Sequence, residues 1–218
     1  MRTIAFVTQK GGSGKSTLAS SLAVAAMEAG EKICVVDLDP QASLVKWAKA
    51  RKRADVPVVA STPGKVGALV HALAKQGFSY VILDTPGADG DVTAAASKAA
   101  DIVVIPSRPN AFDLWASAQT CASLKSLRRD FVFLLNQCPP AQQTARVDEG
   151  VAALEAIGGL ISPLVLSRVD YQEAARGGQG VTEVNPSGPA ADEMRALWSS
   201  LKRRISRLKG AVPSRKAA

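Results

Sequence analysis

The stretch QKGGSGKST, Gln9 to Thr17, carries the residue types that hold a phosphate chain. Gly11, Gly12 and Gly14 let the backbone come close to an anion and aim N–H groups at it. A helix starting directly after the loop adds the positive end of its dipole. In a loop of this kind the Lys15 ammonium reaches the β- and γ-phosphates and the Ser16 hydroxyl is a magnesium ligand. The strict pattern G-x-x-x-x-G-K-S/T is not met, because Gln9 stands at its first glycine. The preceding TIAFV and the following LASSLAVAAMEAG still supply the strand–loop–helix setting the chemistry needs. Lys10 is left unexplained, since Lys15 already fills the phosphate-binding position.

Two further stretches place carboxylates where phosphate chemistry uses them. VVDLDPQ closes an apolar run with Asp37 and Asp39, and strand alternation puts both on one side of the chain. VILDTPG closes another with Asp84, the kind of acid that holds magnesium in phosphate-loop nucleotidases. Gly87 leaves room for its own N–H to approach a γ-phosphate. A single aspartate at a strand end often does no more than cap the next helix. The glycine-rich loop upstream is what gives these acids a shared purpose.

Short apolar, β-branched runs alternate with helical patterns along the chain. TIAFVT, KICVVDLD, VPVVAS, SYVILDTPG, DIVVIPSRP and DFVFLLNQ read as strands, and LISPLVLS continues the alternation. Helices are expected over Ser16–Glu28, 41–53, 65–77, Phe112–Leu127, Val147–Ile157 and Ala190–Leu208. This order predicts an α/β fold, a mainly parallel, doubly wound sheet flanked by helices. Ligands of such sheets bind at the carboxyl ends of the strands, where each motif above falls. Residues 1–208 read as one domain and 209–218 as a basic, disordered tail.

The chain has 218 residues, 47% apolar and 21% charged, as an ordinary globular domain has. No run is long enough to suggest a membrane span, and the N-terminus lacks the pattern of an export signal. Cys34, Cys121 and Cys138 are scattered and His71 is the lone histidine, which excludes the common zinc spacings and suggests a reducing, cytoplasmic setting. The formal charge of +8 is concentrated at one end. From Met194 onward there is no acid, while Arg195, Lys202, Arg203, Arg204, Arg207, Lys209, Arg215 and Lys216 are all basic. Such a patch suits a polyanionic partner, nucleic acid or an anionic membrane; otherwise it is a solvated helix face.

KGGSGKST, DLDPQ and DTPG, in this order and spacing, resemble the ParA/MinD family of deviant Walker-A ATPases, phosphate-loop NTPases that use ATP and Mg2+. IPSRPNAFDLWA, LLNQ and GPAADEMRALWSSLKRRI extend the similarity over nearly the whole chain. The resemblance implies that Lys10 crosses the interface of an ATP-sandwiched homodimer to reach the partner's nucleotide. It assigns the loop residues Gly11, Gly12, Ser13, Gly14, Lys15, Ser16 and Thr17 to the phosphates, Thr17 to the α-phosphate. Asp39 falls near the attacking water, Asp37 near the magnesium shell, and Asp84 matches the Walker-B acid that, with Ser16, holds the ion. Asn136 resembles the base-contacting asparagine after a strand, with turn capping as the alternative. Gln9 departs at a position that varies within the family.

Other branches of the superfamily fit less well. The nitrogenase-reductase-like branch needs cluster-binding cysteines, and bacterial tyrosine kinases need a tyrosine-rich tail. Arsenite-pump ATPases are tandem domains, and dethiobiotin synthetase lacks the DxDPQ motif. Partition ATPases acting on the nucleoid remain, with membrane-bound Min-type ATPases as the alternative. Leu197, Trp198, Leu201, Ile205 and Leu208 share one face of the last helix, which suits docking on the domain with the basic face outward. Lys202, Arg203, Arg204 and Arg207 are then the expected sequence-independent DNA contacts, and KWAKARKR at Lys46–Arg53 is a second basic segment. With the first strand starting at Thr3, the chain resembles the small single-domain class without an operator-binding extension. The family further implies slow hydrolysis stimulated by a ParB-like or cargo-adaptor protein.

Overall fold

The computed structural model describes residues 1–88, 90–139 and 144–209. The elements run β1 (Arg2–Phe6), α1 (Lys15–Glu28), β2 (Ile33–Asp37), α2 (Ser43–Arg51), β3 (Val58–Ala60), α3 (Val66–Lys75), β4 (Tyr80–Asp84) and α4 (Asp91–Ala99). They continue with β5 (Ile102–Ser107), α5 (Ala111–Ser126), β6 (Phe131–Leu135), α6 (Thr144–Ile157), α7 (Val169–Gly177), α8 (Val181–Val184) and α9 (Pro189–Lys209). The strands form one 6-stranded sheet in the order β3-β2-β4-β1-β5-β6. Every pairing is parallel, as the alternation of strands and helices requires.

The strand order dictates where the helices go. A right-handed crossover places its helix on one face when the chain moves one way across the sheet and on the other when it reverses. The steps β1 to β2 to β3 run one way, and α1 and α2 cover one face, joined there by α9. Their shared core contains Ile4, Phe6, Val35 and Ile82 from the strands with Leu18, Leu22, Trp47, Leu197 and Leu201 from the helices. The steps β3 to β4 to β5 to β6 run the other way. Ala5, Val36, Leu83 and Ile105 pack there against Leu73 of α3, Ala96 of α4, Leu124 of α5 and Leu154 of α6. Alternate residues of each strand thus serve opposite cores, which is why the strands read as continuous apolar runs. Because β1 lies where the chain changes direction, a crevice opens at its carboxyl end.

Several elements differ from the sequence expectation. LISPLVLS does not continue the sheet as a strand; it touches it through two isolated parallel bridges, Phe133–Leu160 and Cys138–Leu166. Pro163 in its middle has no N–H for a continuous ladder. Helices α4, α7 and α8 were not expected, their sequences being short and rich in small or polar residues. The remaining tail, 210–218, lies outside the described residues. Cys34, Cys121 and Cys138 are free and buried.

The basic stretch Lys46–Arg53 is divided by the fold. Arg51 turns inward, its side chain 1% exposed, and forks onto Asp55 and Glu183. It also donates to the Gly178 carbonyl at 3.1 Å, so it ties α2 to α7 and α8 and offers no charge to solvent. Gly178 ends α7 in the left-handed region at φ 65°. A Cβ there would stand 2.1 Å from the Arg51 backbone nitrogen. Gly178→Ala therefore combines backbone strain with a clash that no rotamer relieves, and should cost at least about 2 kcal/mol. A lower urea midpoint at unchanged slope is the expected reading.

Candidate nucleotide-binding site

The register of the sheet assembles the site. Asp84 pairs with Phe6 on one side and with Asp37 on the other, so β1, β2 and β4 end level. The loop leaving β1 sits directly against both carboxylate-bearing ends. Gly12 and Gly14 adopt φ of 76° and 91°, a backbone that only glycine takes without strain. Gly14 precedes the first residue of α1 without any side-chain cap. The first N–H groups of α1 consequently face the crevice with no acidic neighbour in the first turn, an anion site by construction.

A cavity of about 250 Å³ lies inside this loop, lined by Gly11, Gly12, Gly14, Lys15, Ser16 and Thr17 together with Asp39, Gln41, Ser43, Thr85 and Gly87. The loop after β4 presses close: a Cβ on Gly87 would come within 2.7 Å of the Gly11 Cα. Only a glycine permits that approach, which brings the Gly87 backbone to the cavity wall.

The charged groups fall into distinct roles. Lys15 is buried and its ammonium donates to the Lys10 carbonyl at 3.3 Å. Burial lowers its pKa below the ordinary lysine value, against the opposing charges of Asp84 and Asp39. Asp84 is 0% exposed. One of its oxygens accepts from the Ser16 hydroxyl at 2.6 Å, and the other, Oδ1, is buried without a hydrogen-bond partner. Burial pushes its pKa up to about 7; the Ser16 hydrogen bond and Lys15 oppose this, while the charges of Asp37 and Asp39 add to it. A hydroxyl and an under-coordinated carboxylate beside a phosphate cavity fit an octahedral Mg2+ ion, which takes few protein ligands and completes its shell with phosphate oxygens and water. Among the described residues no group of three His, Cys, Asp or Glu could hold a metal unaided.

Asp37 and Asp39 diverge. Asp37 accepts from the backbone N–H of Leu44 and Val45 at 2.9 and 3.1 Å through Oδ2, and from that of Asp39 through Oδ1. It anchors the start of α2 and orients the loop that carries Asp39. Asp39 itself lines the cavity, with one oxygen fixed by the Gln41 N–H at 2.9 Å.

Asn136, at the end of β6, donates its side-chain amide to the Ser13 carbonyl at 2.7 Å. Gln137 does the same to the Gly12 carbonyl at 3.1 Å. Neither is a turn cap: both brace the phosphate loop from outside. They also line a second hollow of about 330 Å³, which shares Gly14 and Thr17 with the phosphate cavity. Leu166, Arg168, Tyr171 and Gln172 form part of its wall, and its size and position suit a nucleoside. Sequence reasoning missed these four. Glu193 of α9 holds three of them in place, accepting from Arg168 at 2.7 Å, from Tyr171 Oη at 3.2 Å and from the Leu166 N–H.

Lys10 stands apart from the cavity. It is not among the lining residues, and its ammonium lies 5.8 Å from the centre of the Phe112 ring. Of the expected DNA contacts, Arg203, Arg204 and Arg207 share a cleft of about 320 Å³ with Gly159–Ser162. Lys202 does not line that cleft; it pairs with Glu31 at 2.7 Å while its side chain stays 44% exposed.

A strand–loop–helix phosphate cradle at the switch point of a parallel sheet, with acids at two neighbouring strand ends, defines a phosphate-loop nucleotide-binding ATPase. Residues 4–215 match the CobQ/CobB/MinD/ParA nucleotide binding domain, and the chain belongs to this family as a ParA/MinD-type ATPase. It is 30% identical over 210 residues to the maintenance of carboxysome distribution protein A of Halothiobacillus neapolitanus, covering 91% of this chain and 95% of that one. To the chromosome-partitioning ATPase Soj of Thermus thermophilus it is 27% identical over 250 residues, with 94% and 97% covered. Among solved structures, the Aquifex aeolicus MinD cell division protein superposes with a TM-score of 0.76 at 16% identity, over 99% of this chain and all of that one.

The raised pKa of Asp84 has a measurable consequence in the nucleotide-free protein. Its folded pKa lies above the unfolded carboxylate value, so its contribution favours folding at low pH and is lost as pH rises through about 7. Between pH 6 and pH 8 the wild type should lose on the order of 1 kcal/mol of stability. Urea titrations should show that slope in the wild type and its loss in Asp84→Asn.

Proposed function

We propose that this ATPase is a ParA-type positioning switch. ATP closes a sandwich homodimer, the dimer binds DNA without regard to sequence, and a cargo-bound partner protein stimulates hydrolysis and release. The observation that carries the reading is the placement of the two lysines. Lys15 lines its own phosphate cavity, whereas the ammonium of Lys10, five residues earlier, lies beside the Phe112 ring and does not line that cavity. A cation outside its own site, on the rim of the loop, is available to the nucleotide of a second copy. Supplied in that way, it makes both association and turnover depend on bound ATP.

Within one subunit the residues divide the work of phosphoryl transfer, which is mainly positioning and charge stabilisation. The loop amides from Gly11 to Thr17 and the Lys15 ammonium hold the β- and γ-phosphates. Asp39 orients the attacking water, and Asp37 fixes the loop that carries Asp39. Ser16 and Asp84 would hold Mg2+, which when bound neutralises charge developing between the β- and γ-phosphates. Asn136, Gln137 and the Arg168–Gln172 segment frame the nucleoside. Slow intrinsic turnover follows from the need to store the ATP state until a partner arrives.

The DNA-binding surface is the cleft with Arg203, Arg204 and Arg207. The apolar stripe of α9 is already used: Leu197, Trp198, Leu201 and Ile205 are all buried against the domain. That disposition favours phosphates over a membrane, because a helix lying on a bilayer needs the same stripe free. Among the described residues no helix is long and apolar enough to cross a membrane. Relatives named for carboxysome distribution and for chromosome partitioning support a large cargo, with a ParB-like protein or a cargo adaptor as the stimulating partner. The protein would then reside in the cytoplasm on the nucleoid.

Lys10→Ala should abolish ATP-dependent dimerisation or hydrolysis while leaving most nucleotide affinity, as read by light scattering, phosphate release and calorimetry. Nucleotide-independent dimers with unaltered turnover in that variant would sink the proposal. Binding to non-specific duplex should require ATP and fall steeply with salt. Replacing Arg203, Arg204 and Arg207 together by alanine should flatten the slope of log K against log salt by roughly 2–3. Binding to anionic liposomes in place of DNA would overturn the nucleoid reading in favour of a Min-type role.

A further inference from the structure

Phe112 and Trp115 are the large aromatic side chains left most exposed in the described structure, at 68% and 65%. They stand one helical turn apart at the start of α5 and meet edge to face, with ring centres 5.5 Å apart. Their position is held firmly. Asn110 accepts from the Asp113 N–H at 3.0 Å to start the helix. Arg108 forks onto the buried Asp113 carboxylate at 2.9 and 3.0 Å. The residues that face inward around them, Asp113 and Ser117, are buried, so the two rings are presented outward by a well-anchored turn.

An exposed aromatic pair on a rigid helix start marks a contact surface. What covers it follows from Lys10. The ammonium of Lys10 lies 5.8 Å from the Phe112 ring centre, on the rim of the phosphate loop. A stable interface covers roughly 800 Å² on each partner, a patch about 16 Å in radius. Both rings lie within about 12 Å of the Lys10 ammonium, so such a patch centred near Lys10 covers Phe112 and Trp115 as well. We propose that Phe112 and Trp115 form the apolar anchor of the ATP-bound homodimer, and that Phe112 holds Lys10 beside the interface until the second copy arrives. This rests on the sandwich-dimer reading above and adds to it the residues that make association strong.

The surface also supplies its own reporter. Of the 3 tryptophans in the chain, Trp47 and Trp198 are buried at 5% and 3%, so Trp115 alone among them is open to solvent. With Mg-ATP and a protein concentration that gives dimers, tryptophan emission should shift to the blue and acrylamide quenching should fall; with ADP neither should change. Trp115→Ala should weaken ATP-dependent dimerisation roughly 10- to 100-fold with nucleotide affinity of the monomer unchanged, and Trp115→Phe should restore most of it. Sedimentation of the wild type separates the two levels of the claim. A wild type that stays monomeric with ATP refutes the sandwich dimer itself. A wild-type dimer in which Trp115 remains quenchable, or a Trp115→Ala variant that dimerises normally, overturns the anchor alone. In that last case an adaptor that binds wild type but not Trp115→Ala would mark the face as the adaptor's.

Discussion

The site depends on holding a loop of backbone amides open. N–H groups that converge on one point repel each other when no anion is present, and glycine-rich backbone has many other conformations to adopt. Two side chains from the end of β6 oppose this. Asn136 and Gln137 grip the carbonyls of Ser13 and Gly12, and because the peptide unit is planar, a carbonyl drawn outward turns the following N–H inward. The close approach of Gly87 to Gly11 closes the loop from the other side. Strand β1 supplies the loop, but β4 and β6 keep it in shape.

Charge inside the crevice is balanced only in part. Asp84 is buried with one oxygen unpartnered, its pKa raised, while burial lowers the pKa of Lys15 nearby. Both shifts have the same origin, the loss of water around a charged group. A nucleotide carrying a divalent ion would relieve both at once, bringing anions to the lysine and a cation to the aspartate. The nucleotide-free crevice is thereby tuned to its ligand as well as shaped for it. Asp37 shows the contrasting case, a carboxylate at the same level of the sheet whose oxygens are satisfied by the start of α2.

Helix α9 connects two ends of the molecule. Its early residue Glu193 organises the wall of the hollow beside the phosphate loop through Arg168, Tyr171 and the Leu166 amide. Its later turns bury Leu197, Trp198, Leu201 and Ile205 in the core and leave Arg203, Arg204 and Arg207 along an outer cleft. The apolar stripe was legible from spacing alone. The division of the neighbouring cations was not: Lys202 and Arg203 are adjacent in the chain, yet one pairs with Glu31 and the other lines the cleft. The same holds for KWAKARKR, in which Arg51 is buried among carboxylates that lie far along the sequence.

The sequence by itself determined the parallel α/β architecture, the phosphate loop and the three aspartates. These are carried by local signals: apolar runs bounded by turns, glycines beside a lysine and a hydroxyl, acids at strand ends. Tertiary structure decided which of those acids keeps an unpartnered oxygen and which anchors a helix, because that depends on hydrogen bonds from residues seven and eight positions on. It also decided that Asn136 braces Ser13 across 123 positions of the chain, and that the hollow beside the phosphate loop is walled by α7. Lys10 is the clearest instance. Its presence beside Lys15 was visible in the chain, but that its ammonium sits beside the Phe112 ring is a matter of where the β5–α5 turn lies, and burial and long-range packing set that.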